Sequence, residues 1–310
     1  MKLFSKLLNI INSVYRNKND NLLLENKEII ESKFVYNDKK NILNWLKKHD
    51  IKYKKDKYFF EKENNQFIIN SRDDVVLYKR IYSIKKIPVK FGTILGDFYC
   101  YNLGLETLEN CPHTVQGDFS CSDNNLISLK HGPKFVKKSY VCYNNKLITL
   151  KGACENTIDY FNCSKNKLIT LEGCPKNILS TLFAQDNPSL ESFNIPYASI
   201  YGNIYISNSP KISLKGMPKL AGILNFEENT IRSLAQLNEC NFEYGFTHRV
   251  KNENEKIKEL EFLYHIKDDK WELKFFDKNL YNKTVKTAKS KFLLEQKLDV
   301  KPIFKQRVKI

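Results

Sequence analysis

Eight cysteines and five histidines are the side chains in this 310-residue chain best suited to chemistry, and four of the cysteines keep a fixed spacing. Cys100, Cys121, Cys142 and Cys163 each lie 21 residues from the next. Thiols serve as metal ligands, nucleophiles or disulfide partners, and each role makes demands on geometry. A tetrahedral site draws on paired ligands such as CxxC or HxxxH, which this sequence lacks. If successive copies stack as parallel strands, a regular step instead sets the sulfurs in a line, about 4.8 Å apart. Such a line does not surround an ion, and a disulfide between neighbouring parallel strands demands difficult geometry. The periodic four therefore read as a reduced ladder of small hydrophobes inside a core, which suits a cytoplasm. Cys111, Cys154 and Cys174 fall in turns, where soft-metal binding is the competing reading. His49, His113, His131, His248 and His265 are scattered and form no acid–base pattern. With no Walker loop, dinucleotide-binding glycine signature or nucleophile elbow, the sequence predicts no enzyme and no cofactor.

The elements that position these residues follow from the same period. Leu108, Leu129, Leu150 and Leu171 keep the 21-residue step, as do Leu105, Leu126, Leu147 and Leu168, and Asn124, Asn145, Asn166 and Asn187. After one inserted residue the pattern continues through Ile204, Ile206 and Leu214, then Leu224, Phe226, Asn229, Ile231 and Leu234, giving about seven turns. Each unit reads apolar-x-apolar-x-x-Asn-x-Leu-x-x-Leu and ends in a turn such as ENCP, KHGP or EGCP. Alternation along a short strand sends the first two apolar residues inward, as in Phe98/Cys100, Phe119/Cys121, Tyr140/Cys142, Phe161/Cys163, Leu182/Ala184, Ile204/Ile206 and Leu224/Phe226. The Asn column is expected to bond backbone groups of its own and the adjacent coil. The later leucines fill the opposite wall, and Pro112, Pro133, Pro175 and Pro218 help set the turns there.

This pattern resembles the leucine-rich repeat, and its 21-residue length is similar to that of the short bacterial subclass found in effectors of enteric pathogens. The wording GDFSCSDNNLISL, preceded by IPVKFG, more closely resembles repeat proteins encoded by large tailed bacteriophages. The resemblance implies an α+β repeat protein: a leucine-rich-repeat solenoid with a parallel strand ladder, flanked by α/β caps. It further implies recognition of a host or phage protein, in the cytoplasm of an infected cell or in a virion. It supplies no catalytic residues. The Cys121-Ser122-Asp123 triplet matches a Cys-x-Asp ubiquitin-ligase motif but lies inside a repeat, and the C-terminal 70 residues are too short for that domain.

The expected organisation is an N-terminal amphipathic helix and linker over residues 1–36, an N-terminal cap with a degenerate first repeat over 37–90, the solenoid over 91–238, and a basic C-terminal cap over 239–310. Leu3, Phe4, Leu7, Leu8, Ile11, Val14 and Tyr15 give the first segment an apolar stripe, and no small-residue cleavage site follows, so no secretory leader is expected. Asp38 caps a predicted helix through about Lys48, and short strands follow between Lys52 and Leu77. Past Cys240, helices are expected at Asn254–His265 and Asn279–Leu298, with a strand at WELKFF between them. The net charge of +16 divides as +10 over residues 1–90, 0 over 91–240 and +6 over 241–310. Ten Lys/Arg against two acidic residues from Lys278 onward make nucleic acid an alternative partner for the basic C-terminus, although a solvated tail explains the same charge. No run approaches the roughly 18 apolar residues of a membrane span.

The outward face of the strand ladder is the candidate partner site. Tyr99, Tyr101, Val141, Tyr143, Tyr160, Asn162, Phe183, Gln185 and Tyr205 occupy its positions. Tyrosines and small polar residues on a rigid sheet give a large contact area at low entropic cost. Strand propensity favours aromatics at the same positions and is the competing explanation. Docking through the flanks, as a virion structural component, is the second functional reading.

Overall fold

The computed structural model describes residues 38–78, 83–209 and 212–227, then the strand segments 241–250, 265–267 and 270–274. The expected helix near the N-terminus lies outside these residues, as do nearly all of the two helices expected after Cys240.

Helix α1 (Lys39–His49) opens the described chain, with the Asp38 carboxylate accepting the Asn41 N–H at 2.8 Å. An antiparallel hairpin follows, β1 (Tyr58–Glu63) and β2 (Gln66–Ser71), its turn made by Asn64 and Asn65 at positive φ. From there the chain winds as a parallel β-solenoid of about seven turns, with little helix. The elements in order are β3 (Val75–Val76), β4 (Lys90–Ile94), β5 (Phe98–Tyr99), β6 (Thr114–Val115), β7 (Phe119–Ser120), β8 (Phe135–Val136) and β9 (Tyr140–Val141). They continue as β10 (Asn156–Thr157), β11 (Phe161–Asn162), β12 (Asn177–Ile178), β13 (Leu182–Phe183), β14 (Ser199–Ile206), β15 (Leu220–Glu227), β16 (Asn241–Val250), β17 (His265–Lys267) and β18 (Lys270–Lys274).

Odd-numbered strands β3 to β13 stack in parallel as the principal ladder, and β14, β15 and β16 carry it on. The sequence period becomes the register: Phe98 pairs with Phe119, Phe119 with Tyr140, Tyr140 with Phe161, and Phe161 with Leu182. The ladder begins at Val75 and continues through β16, so it outruns the recognisable repeats at both ends. β17 and β18 then add to β16 in antiparallel fashion.

These strands are short because the chain turns sharply after each inward residue at the cysteine position. Asn102, Asp123, Asn144, Lys165, Asp186 and Asn208 all take φ between 49° and 56°, a left-handed conformation that Asn and Asp tolerate better than most residues. One residue after Asp123, Asn144, Lys165 and Asp186, the Asn column locks the turns together. Asn166 donates to the carbonyls of Cys142 at 3.1 Å and Cys163 at 3.0 Å, and accepts the Leu147 N–H at 3.0 Å. Asn124, Asn145 and Asn187 repeat this pattern, and all four are buried. Each amide satisfies backbone groups of two successive turns that the bend would otherwise leave unpaired.

Inside, Phe98, Phe119, Tyr140 and Phe161 form a continuous aromatic stack with centroid separations of 6.1, 4.9 and 5.4 Å. Both leucine columns are fully buried against it. Tyr140 is the one member of this stack with a hydroxyl, and that group has no hydrogen-bond partner. Gly132 makes room for it, since a Cβ there would come within 3.0 Å of the hydroxyl and 2.9 Å of Leu108.

On the far side, the wall expected to hold proline-set turns is a second parallel ladder. β2, β4, β6 and β8 pair in one run, and β10, β12 and the first residues of β14 in another. The inward column of this ladder, Ile94, Val115, Val136, Thr157, Ile178 and Ile200, is buried throughout. At β14 the corner straightens, so that one long strand joins both ladders across a register shift between Ile200 and Asn203.

At the N-terminal end, Ile42, Trp45 and Leu46 of α1 join the same core. A buried ion pair ties this end together, with Lys57 Nζ 2.6 Å from Asp50 Oδ2. Lys57 also donates to the carbonyls of Lys52 and Asp74, while Asp50 accepts from the Val76 and Lys52 N–H groups and the Tyr58 hydroxyl. Such complete pairing offsets the desolvation that makes buried charges costly.

Candidate functional site

The chemistry suggested by the cysteines is disfavoured by their surroundings. All seven described cysteines are free and buried, including Cys111, Cys154 and Cys174 in the turns. The Cys121, Cys142 and Cys163 thiols lie 3.3–3.6 Å from carbonyl oxygens of the next turn. Burial pushes the Cys154 and Cys163 thiols up to about 12, and those of Cys100, Cys121, Cys142 and Cys174 well above the ordinary thiol range. Thiols so rarely ionised are poor nucleophiles and poor metal ligands. Among the described residues, no group of three or more His, Cys, Asp or Glu is arranged to hold a metal. Asp123 of the Cys-x-Asp triplet sits in the left-handed turn and pairs with Asn144 at 2.7 Å, while Cys121 is fully buried.

The outward positions of the principal ladder form two clusters and a spacer. In the first, Tyr99 and Tyr101 lie 6.4 Å apart, and the Tyr99 hydroxyl donates to Asp97 at 3.1 Å, with Asp118 3.5 Å away. Burial first, and then these carboxylates, push the Tyr99 phenol well above its usual range, so it remains a donor. Asp74, Asp97 and Asp118 form a carboxylate column in which each accepts the backbone N–H one turn further on, at Asp97, Asp118 and Ser139. The first cluster is thus polar and anionic.

The second cluster is aromatic. Tyr160 meets Phe183 edge-on at 5.9 Å, and Phe183 stacks on Tyr205 at 5.3 Å with 7° between ring planes. Neighbouring polar groups hold this surface in place: Asn203 donates to the Tyr205 hydroxyl at 3.2 Å, and Gln185 to Ser207 at 3.0 Å. Asn162 turns its side chain back to accept the Ser164 N–H at 3.0 Å, which leaves it less to offer a partner. Between the clusters lie Ser120, Ser122 and half-buried Val141. Tyr143 stands apart from both, its ring 5.2 Å beneath the Lys165 ammonium, and the nearby phenol raises the Lys165 pKa. The structure therefore brings together Tyr160, Phe183 and Tyr205, and separately Tyr99 and Tyr101, but not all nine candidates.

A second surface, missed from sequence, lies on the other ladder. Its outward positions include Phe135, Ile158, Leu179 and Tyr201, each roughly half exposed, around a groove of about 650 Å³. The sequence signal was the column Leu95, Gln116, Lys137, Ile158, Leu179, which keeps the 21-residue step.

Comparison of the chain with protein-family models, with curated proteins and with solved structures gave no match in any of the three. Among the described residues, no helix is long and apolar enough to cross a membrane.

Proposed function

We propose that this chain is a non-enzymatic scaffold that binds a protein partner on the outward face of its principal ladder. The observation that carries the reading is the contact chain Tyr160–Phe183–Tyr205, three rings displayed side by side on successive turns joined by strand pairing. Rings held in place before binding lose little entropy on contact, and aromatic side chains in such clusters dominate interface energies. Leucine-rich-repeat identity belongs to the same proposal. It rests on the Asn column, the two leucine columns and the short parallel strands, and on this reading the strand face is concave. The α1–hairpin segment then serves as the N-terminal cap, shielding the first turn's core and strand edge. A bacteriophage origin, with function in the infected cell or the virion, rests on the wording of the repeats alone.

The test is capture from cells that produce the protein, with wild-type chain and a Y160A/F183A/Y205A variant compared side by side. A partner retained by the wild type and lost from the triple variant, at unchanged melting temperature, supports the reading. Equal retention by both would move the docking surface to the flanks, as expected of a virion component. Retention that instead falls steeply with salt would favour the basic ends and a nucleic-acid partner.

A further inference from the structure

We infer that the groove on the second ladder is a binding site for a short acidic protein segment carrying aromatic or branched apolar side chains, distinct from the face proposed above. The groove sits where that ladder is interrupted. β6 pairs with β8 and β10 pairs with β12, but β8 and β10 share no register. At this step the Ile158 N–H reaches the Lys137 carbonyl at 3.1 Å in place of a regular strand pair. Thr157 lies at the same break. It takes an inward position that Val115, Val136 and Ile178 fill elsewhere, and its buried hydroxyl has no partner. The ladder is thus weakest where the groove opens.

The lining selects the occupant. Phe135, Ile158, Leu179 and Tyr201 supply exposed apolar surface, and Asn156 and Asn177, joined by an amide hydrogen bond of 2.7 Å, add a polar strip. Lys134 and Lys137 flank it, and neither has a carboxylate within ion-pair distance among the described residues. Glu155, the acidic residue of the lining, is paired with Lys176 at 3.6 Å, so the groove presents net positive charge beside its apolar surface. Complementarity calls for a ligand that alternates carboxylates with apolar side chains. The basic end of this chain from Lys278 onward, with ten Lys/Arg and two acidic residues, has the wrong sign to fill it.

The experiment measures fluorescence anisotropy of three labelled peptides on the full chain: Glu alternating with Phe and Leu, the same apolar residues alternating with Lys, and Glu alternating with Ala. Saturable binding is expected for the first alone. A K134E/K137E variant should weaken it about tenfold or more, as should I158S/L179S, while K130E, a single charge reversal on another wall, should stay within about twofold. All variants carry surface substitutions and are checked for an unchanged melting temperature. The inference is overturned if the Lys peptide binds as well as the Glu peptide, if no peptide binds, or if K130E weakens binding as much as K134E/K137E. Binding of the Glu–Ala peptide equal to that of the Glu–Phe–Leu peptide would also overturn it, because charge alone would then suffice.

Discussion

The two ladders of this solenoid are made from the same turns, yet they differ in regularity. The principal ladder runs without a break from β3 to β16, its turns made by left-handed residues from Asn102 to Asn208 and four of them locked by the buried amides of Asn124, Asn145, Asn166 and Asn187. The turns that enter the second ladder also take left-handed residues, at Asn110, His131, Gly152, Gly173 and Asn194, but among the described residues no column of buried asparagine amides locks them, and the ladder loses register between β8 and β10, where Thr157 breaks a column of branched apolar residues. The comparison shows that stacking side chains is not enough to hold a parallel ladder of two-residue strands; satisfying the backbone at each bend also matters. It also explains the two kinds of surface. The principal ladder presents fixed rings, and the second offers a groove where pairing fails.

The largest effect is expected when an inward ring of the principal ladder is compared with an outward ring of the second. Phe161→Ala removes a ring from the core stack and should cost about 3–5 kcal/mol, whereas Phe135→Ala on the second ladder, half exposed, should stay near 0.5 kcal/mol or less. Chemical denaturation of both variants checks this, and similar losses would mean that the outward Phe135 is packed as tightly as the core ring of Phe161. The clamp itself comes next. Asn166→Ala leaves several buried backbone groups unpaired and should lower stability by roughly 2–3 kcal/mol. Hydrogen exchange should then accelerate first at Leu147, whose N–H loses its acceptor.

Smaller changes sharpen the comparison from the other direction. Thr157→Val restores the apolar column and removes an unpaired buried hydroxyl, so a gain of about 1 kcal/mol is expected by denaturant titration. Lys165→Asn places a residue suited to positive φ at the one position of that turn column held by neither Asn nor Asp. It should stabilise by about 0.5 kcal/mol, measured as a small rise in melting temperature.

Much of the principal ladder was legible because its signals are exclusive. A fixed step shared by Phe/Cys, Asn and Leu columns leaves one stacking arrangement, and Phe98, Cys121 and Asn166 sit as that step requires. The second ladder was harder to read because its strands are two residues long and its outward column mixes Leu95, Gln116, Lys137, Ile158 and Leu179. The inward column Ile94, Val115, Val136, Thr157 and Ile178 carried the period, but it lay beside prolines that suggested turns alone. Which outward aromatics touch depends on diagonal contacts between turns, so the meeting of Tyr160 with Phe183, and the separation of Tyr143, needed coordinates.

The most direct test of a partner face on the principal ladder is site-specific photocrosslinking in cells that produce the protein. Tyr205→p-benzoylphenylalanine places the probe among the clustered rings, and Ile148→p-benzoylphenylalanine places it on an exposed position of another wall. A discrete adduct from position 205, absent from position 148, is the expected result. Equal adducts from both positions, or an adduct from 148 alone, would contradict the assignment of the binding surface to the principal ladder.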